Sequence, residues 1–333
     1  MTASVPAAGP NGKAAIKVGT CSWTDPTLVR QTDWYPRKSM SAAERLAFYA
    51  SQFSIVEADS TYYFPPTPEL ARMWVERTPP AFTMNVKAYS LLTGHPTFPH
   101  SLWPDLQEAV LPEFRDRRRL YDKHLPAEAV DEVWDRFLFA LRPLAEAGKL
   151  GAVLVQFPRW FGPKAEHWDR LREVAARLQE PGYRGCVEFR NARWLEAEEC
   201  EATLALLEEL GLSYVCVDEP QGFKSSVPPV VAVTAELAVV RFHGRNAGTW
   251  ERSTPTAAER FRYRYEIHEL EEWVPKLREL ARSAREVHAL MNNCYRDEAV
   301  DNAAQLAQLL SGETPDPDPP PPPAPYSQQR LRI

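Results

Sequence analysis

Residues 185–190 read GCVEFR, residues 213–218 read SYVCVD and residues 238–243 read AVVRFH. Each is an apolar run of strand length that turns polar at its carboxyl end, and a helical pattern precedes or follows it. Outward from these, the same reading applies to residues 16–21 (IKVGTC), 55–60 (IVEADS), 82–87 (FTMNVK), 152–157 (AVLVQF) and 287–293 (VHALMNN). Runs rich in Val, Ile, Phe and Tyr, without strict alternation, suit strands covered on both faces. Amphipathic stretches lie between most of them. One opens on Ser41 and Glu44, the spacing of a capping box, and another on Thr67 followed by Pro68. Eight such strands joined by crossover helices predict an α/β fold, a closed parallel TIM-like (β/α)8 barrel. An open doubly wound sheet is the alternative, weakened because no strand is followed by a Gly-rich phosphate loop.

Two connections break the pattern. Residues 219–237 hold Pro220, Pro228 and Pro229 and no amphipathic period, so the helix between strands six and seven is expected to be missing or reduced. Residues 88–127 form a long insertion after strand three, expected over the carboxyl face as either a lid or passive padding. One barrel domain over residues 15–311 is expected between an N-terminal tail, residues 1–14, and a proline-rich tail, residues 312–333.

Composition narrows the function. Lys and Arg number 39 against 45 Asp and Glu, a formal charge of −6, which opposes nonspecific binding to duplex DNA. The five cysteines include no CxxC pair, so free, mostly buried thiols are expected. The chain starts without a basic segment and apolar core of signal-peptide type, and no apolar run nears the roughly 20 residues that span a bilayer. A cytoplasmic protein without a membrane role is the expectation.

Residues two apart on a strand share a face. That alternation gathers Glu57 with Asp59, Asn85 with Lys87, Glu188 with Arg190, and Arg241 with His243 and Arg245, toward the carboxyl ends of their strands. Gln156, Asp218, Asn292 and Asn293 close other strands. Barrel enzymes build their sites at this mouth, and charges are rarely buried without partners. Glu57, Glu188, Asp218 and His243 are therefore the candidate acids and bases, with His243 expected to titrate near neutral pH. Asp59, Tyr62, Lys87, Gln156, Arg190, Arg241, Arg245, Asn292 and Asn293 are candidate substrate contacts, the cations suiting a phosphate or carboxylate. Aromatic residues ring the same loops, among them Tyr62, Tyr63, Phe64, Trp160 and Trp250, with the geometry to stack on a base or sugar.

The motifs VGTCSW (18–23), WYP (34–36), FYASQFSIVEADSTYY (48–63), VLVQFP (153–158), VEFRNARW (187–194), VRFHGR (240–245) and NNCYRDEAVDNA (292–303) resemble the domain of unknown function 72 family, also called YecE-like. They span nearly the whole folded region in order. The resemblance implies a TIM-like barrel and brings no reaction with it. Asp59 stands where typical members carry Asn, which changes the charge of the pocket. The stretch at residues 88–127 is longer than usual and bears on access.

These readings converge on an enzyme for a phosphate- or carboxylate-bearing small molecule of sugar or nucleoside type. It would work by acid–base chemistry at the barrel mouth as a hydrolase, lyase or isomerase. No cofactor is required by the sequence. A metal-dependent, phosphodiesterase-like barrel with a divalent ion on His243, Glu188, Asp218 and Glu57 is a rival, opposed by four nearby cations. A nucleic-acid-binding barrel with Arg117, Arg118, Arg119 and Lys123 as a basic contact, a non-catalytic binding protein, and a purely structural charge network are the other readings.

Overall fold

A computed structural model describes residues 14–254 and 256–315. Residues 1–13 and 316–333, nearly all of the two expected tails, lie outside the described residues. Eight strands close a barrel in chain order: β1 Ala15–Thr20, β2 Ile55–Ala58, β3 Thr83–Lys87, β4 Leu150–Gln156, β5 Gly185–Glu188, β6 Ser213–Asp218, β7 Leu237–Phe242 and β8 Glu286–Met291. Every neighbouring pair is parallel, and β8 pairs with β1 from Ala15↔Glu286 to Thr20↔Met291. This is the (β/α)8 barrel that the apolar runs predict.

Local chemistry starts the helices where expected. The Ser41 side chain accepts from the Glu44 amide while Glu44 accepts from the Ser41 amide, a reciprocal cap that opens the helix Ala42–Gln52. Thr67 caps the helix Pro68–Glu76 through the Leu70 amide. The longest helix, Ala127–Glu146, buries Val133, Trp134, Phe137 and Leu141 against the barrel. Such a stripe, rather than propensity alone, holds a helix in place. Residues 219–236 contain no helix, as their prolines predict.

Several strands stop sooner than their apolar runs, and two of these early ends place candidate residues. β2 ends at Ala58, and Asp59–Tyr62 forms a 3-10 turn, so Asp59 is placed by the turn instead of by strand alternation. β5 ends at Glu188, which frees Arg190 from the sheet. The barrel interior also carries polar groups at mid-depth. Gly151 leaves room for them: a Cβ there would stand 2.3 Å from Asn85 Oδ1 and 3.0 Å from His288 Cε1. Lower down, Lys17 and Arg184 both pair with Glu286, at 2.5 and 2.8 Å.

The segment between β3 and the long helix is a packed body. Thr97 and Leu120 exchange two backbone hydrogen bonds of 2.8 Å, and Tyr89, Leu91 and Leu92 are fully buried. Freeing it would expose that apolar surface, which opposes wholesale motion as a hinged lid. Cys21, Cys186 and Cys216 are buried, and all five cysteines are free. Among the described residues no helix is long and apolar enough to cross a membrane.

Candidate functional site

Two strata of charge lie at the carboxyl end of the barrel. The lower one is sealed. Arg241 on β7 is fully buried and donates to Glu57 Oε1 on β2 at 2.7 Å and to Glu188 Oε2 on β5 at 2.5 Å. The other oxygen of Glu188 accepts from Gln156 at 2.6 Å and from Arg190 Nε at 2.7 Å, with His243 Nε2 at 3.1 Å. Burial alone would raise the Glu188 pKa, but Arg190, Arg241 and His243 outweigh it and hold the carboxyl well below its usual range. Glu57 goes the other way. Burial pushes it up against the pull of Arg241, a guanidinium it must share, and its Oε2 has no hydrogen-bond partner.

His243 does not titrate where the sequence reading places it. Asn292 Nδ2 lies 2.8 Å from Nδ1, and the Asn292 carbonyl faces Arg241 at 3.5 Å. With Asn292 so turned, the ring proton would lie on Nε2 toward Glu188, although Arg190 Nη2, a donor, also faces that nitrogen at 3.2 Å. Burial and the adjacent Arg190 push the imidazole down to about 3, so it is neutral at physiological pH. It serves as a fixed link between Asn292 and Glu188.

A separate cluster absorbs Asp218. Arg245 donates to it through Nε at 3.0 Å and a terminal nitrogen at 2.8 Å, while Tyr265 and Trp273 each donate at 2.7 Å. Arg245 also pairs with Glu269 and Glu272. Gly244, at φ +80, makes the turn between the clusters, and a Cβ there would meet Tyr263 Cβ at 2.5 Å. Asn293 is buried and donates to the Tyr263 carbonyl and Asn302, which tie it to the last helix, Glu298–Ser311. Asp218, Arg245 and Asn293 thus stand apart from the pocket, held in structural contacts. The four candidate metal ligands do not converge either: among the described residues no group of three or more His, Cys, Asp or Glu could hold an ion.

The upper stratum is open. A cavity of about 650 Å3 lies at the mouth, and Asp59, Tyr62, Lys87, Gln156, Arg190 and Asn292 of the candidate set line it. Lys87 Nζ is 2.7 Å from Asp59 and 4.7 Å from the centre of the Tyr62 ring. The Arg190 guanidinium lies 5.0 Å from the centre of Trp250 and also pairs with Glu219 at 3.0 Å. Five cations face the cavity, Lys87, Arg159, Arg190, Arg252 and Arg260, against the carboxylates Asp59 and Glu251. Glu57, Glu188, Arg241 and His243 lie beneath it and do not line it.

Sequence reasoning missed several of these residues. Glu219 is buried and pushed up to about 8, since burial outweighs an Arg190 charge already shared with Glu188. Its position one residue past β6 was its only signal. His95 comes from the long segment, and Arg260 and Phe261 from the irregular stretch after β7. No periodicity marks any of them.

A closed parallel barrel with ionisable side chains gathered beyond its strand ends defines a (β/α)8 protein with a mouth-facing pocket. The chain belongs to the family described as protein of unknown function DUF72, whose model matches residues 17–327. It is 33% identical over 305 residues to the UPF0759 protein YunF of Bacillus subtilis strain 168, covering 90% of this chain and 95% of that protein. A DUF72 family protein of Enterococcus faecalis V583 superposes with a TM-score of 0.68 at 27% identity, over 89% of this chain and 97% of that one. A DUF72 family protein of Thermotoga maritima MSB8 does so with a TM-score of 0.67 at 26% identity, over 89% and 99%.

Proposed function

We propose that this chain is an enzyme that takes a phosphate- or carboxylate-bearing small molecule, of sugar or nucleoside type, into the pocket at the barrel mouth. One observation carries the reading: five cations and several rings, among them Tyr62, Trp160 and Trp250, face a single cavity of about 650 Å3. A cavity of that size suits a metabolite-sized ligand. Lys87 and Arg190 would hold the anion, Gln156 and Asn292 would position neutral oxygens, and the rings would cover an apolar face. Glu188 and Asp218 are held by fixed donors and do not line the cavity, so the acid–base role falls to the Asp59–Lys87 pair, which faces it. The free cysteines fit a reducing compartment, and we place the protein in the cytoplasm.

Thermal unfolding with inorganic phosphate, a sugar phosphate and a nucleoside monophosphate tests this. A ligand at about one hundred times its Kd adds roughly 2.7 kcal/mol of stability. Lys87→Met should abolish the shift, whereas Asp59→Asn should keep it and stop turnover of whichever ligand reacts. No shift with any anion, or an undiminished shift in Lys87→Met, rejects the proposal. A binding protein without turnover is the second reading, favoured by the saturation of Glu188 and Asp218. It predicts the shift without any reaction.

A further inference from the structure

Among the described residues five large apolar side chains are exposed: Tyr63, Phe64, Phe98, Phe139 and Trp160, each by 41–59%. Phe139 is on the helix Ala127–Glu146. The other four fall in two runs of ring contacts, which the chain joins into a strip at the adjacent residues Tyr63 and Phe64. Trp160 stands 6.1 Å from His95, His95 5.3 Å from Tyr62, and Tyr62 5.0 Å from Tyr63. The next residue, Phe64, stands 5.8 Å from His100, which is 5.1 Å from Phe98. The Arg119 guanidinium covers Phe98 at 3.0 Å and ends the strip. The strip begins inside the cavity, whose walls include Trp160, His95, Tyr62 and Tyr63, and leaves it along the long segment after β3.

Beside its outer end, Arg117, Arg118 and Arg119 are exposed and form no ion pair among the described residues. Other exposed arginines are paired in some places, as at Arg37, Arg142, Arg172 and Arg282, and unpaired in others, as at Arg193 and Arg278, so what distinguishes this trio is three consecutive guanidiniums set beside exposed rings. Exposed rings in sequence with unpaired guanidiniums match one class of partner. Bases offer flat faces at regular intervals, and the linking phosphates offer charge between them. A duplex hides its base faces and presents only phosphate, which a chain of charge −6 repels in bulk. A neutral polysaccharide would use the rings but leave the guanidiniums without a role.

We propose that this strip binds single-stranded nucleic acid, with the end of the strand entering the pocket. The inference deepens the pocket reading and rests on it for the terminal nucleotide alone. The ligand class becomes a phosphodiester-linked strand, of which a nucleoside monophosphate is the smallest fragment.

Fluorescence anisotropy with labelled oligothymidylate of about 12 nucleotides, within the span that stacking grooves cover, tests it against a hairpin duplex and polyglutamate. The single strand should bind at least about tenfold tighter than either competitor, and Phe64→Ala and Phe98→Ala should each weaken it about tenfold. Neither residue lines the pocket, so the thermal shift with nucleoside monophosphate should survive both changes. The combined Arg117→Gln, Arg118→Gln and Arg119→Gln variant should flatten the logarithmic salt dependence by about 2, at roughly 0.7 per lost phosphate contact. Equal affinity for oligothymidylate and polyglutamate, or oligonucleotide binding indifferent to these substitutions, overturns the strip while leaving the pocket reading standing. Absence of a shift in the wild-type protein with phosphate, sugar phosphate and nucleoside monophosphate alike overturns the pocket reading, and the anisotropy arms still decide the strip.

Discussion

Glu57 and Glu188 flank one guanidinium, yet removing their charges should have unequal effects. Glu188→Gln keeps the shape of the side chain, but all four of its neighbours, Gln156, Arg190, Arg241 and His243, direct donors at it. The amide oxygen would take the side facing Gln156, Arg190 and His243, which presses the amide NH2 against the Arg241 nitrogen now 2.5 Å away. Arg241, buried, and Arg190, half-buried, then keep only Glu57 and Glu219, both of which burial drives toward their neutral forms. Breaking a buried pair in this way costs about 3–5 kcal/mol. At roughly 2 °C per kcal/mol for a chain of this size, the midpoint should fall by about 6–10 °C.

Glu57→Gln should cost only about 1–2 kcal/mol, because Glu188 still neutralises Arg241 and burial already raises the Glu57 pKa on folding. Acidity separates the two further. The Glu188 pKa is depressed on folding, so its stabilisation is present above the unfolded value near 4.5 and fades as pH falls below it. The deficit of Glu188→Gln should therefore hold from neutral pH down to that range and shrink beneath it. Glu57 is raised, so the deficit of Glu57→Gln should be largest in acid and diminish as pH rises above 4.5. Urea denaturation of both variants over a pH series provides the measurement. A Glu57→Gln deficit equal to or above that of Glu188→Gln at neutral pH would refute this account of the network.

Asp218→Asn should destabilise by about 3–5 kcal/mol, since Arg245, Tyr265 and Trp273 all donate to it, while leaving the phosphate-induced thermal shift intact. A lost shift in a folded variant would return Asp218 to the binding site. The His243 ring, pushed down to about 3, should show flat NMR resonances between about pH 5 and 8, and a midpoint near 6.5 contradicts its buried neutral state. Glu219, raised to about 8, stabilises most below the unfolded value near 4.5 and loses that contribution as pH climbs through 8. Wild type should thus lose stability relative to Glu219→Gln between those limits, and parallel pH profiles exclude the shift. Gly244→Ala should cost at least about 1–3 kcal/mol in urea denaturation, from positive φ and the clash with Tyr263; a neutral change removes the claim that the turn requires glycine.

Most of the barrel was legible because a parallel sheet sandwiched by helices writes itself as apolar runs, and eight of them appear in order. The missing helix after β6 was equally legible, since Pro220, Pro228 and Pro229 leave no amphipathic face. Site residues divide by a property that alternation does not encode. Parity says that Glu188, Arg241 and His243 point inward, but not how deep they sit or what closes over them. Asp59 and Arg190 reach the pocket because their strands end just before them, at Ala58 and Glu188. Asp218 is lost to the pocket through Arg245, Tyr265 and Trp273, the last two returning from far along the chain. Contacts of that range leave no mark in local sequence.

The two strata are joined at Arg190, which touches Glu188 and Glu219 below and lines the cavity above. The protonation states beneath the floor follow from burial and sharing. Glu188 is held ionised, Glu219 is pushed up to about 8, Glu57 is raised, and His243 is neutral. Arg190 and Arg241 share Glu188, and each has one further carboxylate, Glu219 and Glu57 respectively. Charge interactions in this poorly solvated layer are weakly screened. Above it, Lys87 is compensated by Asp59 at the pocket wall. Of the carboxylates that the sequence offers as acids and bases, Glu57 and Glu188 therefore act best as a buried scaffold that fixes Arg190 at the floor of the cavity.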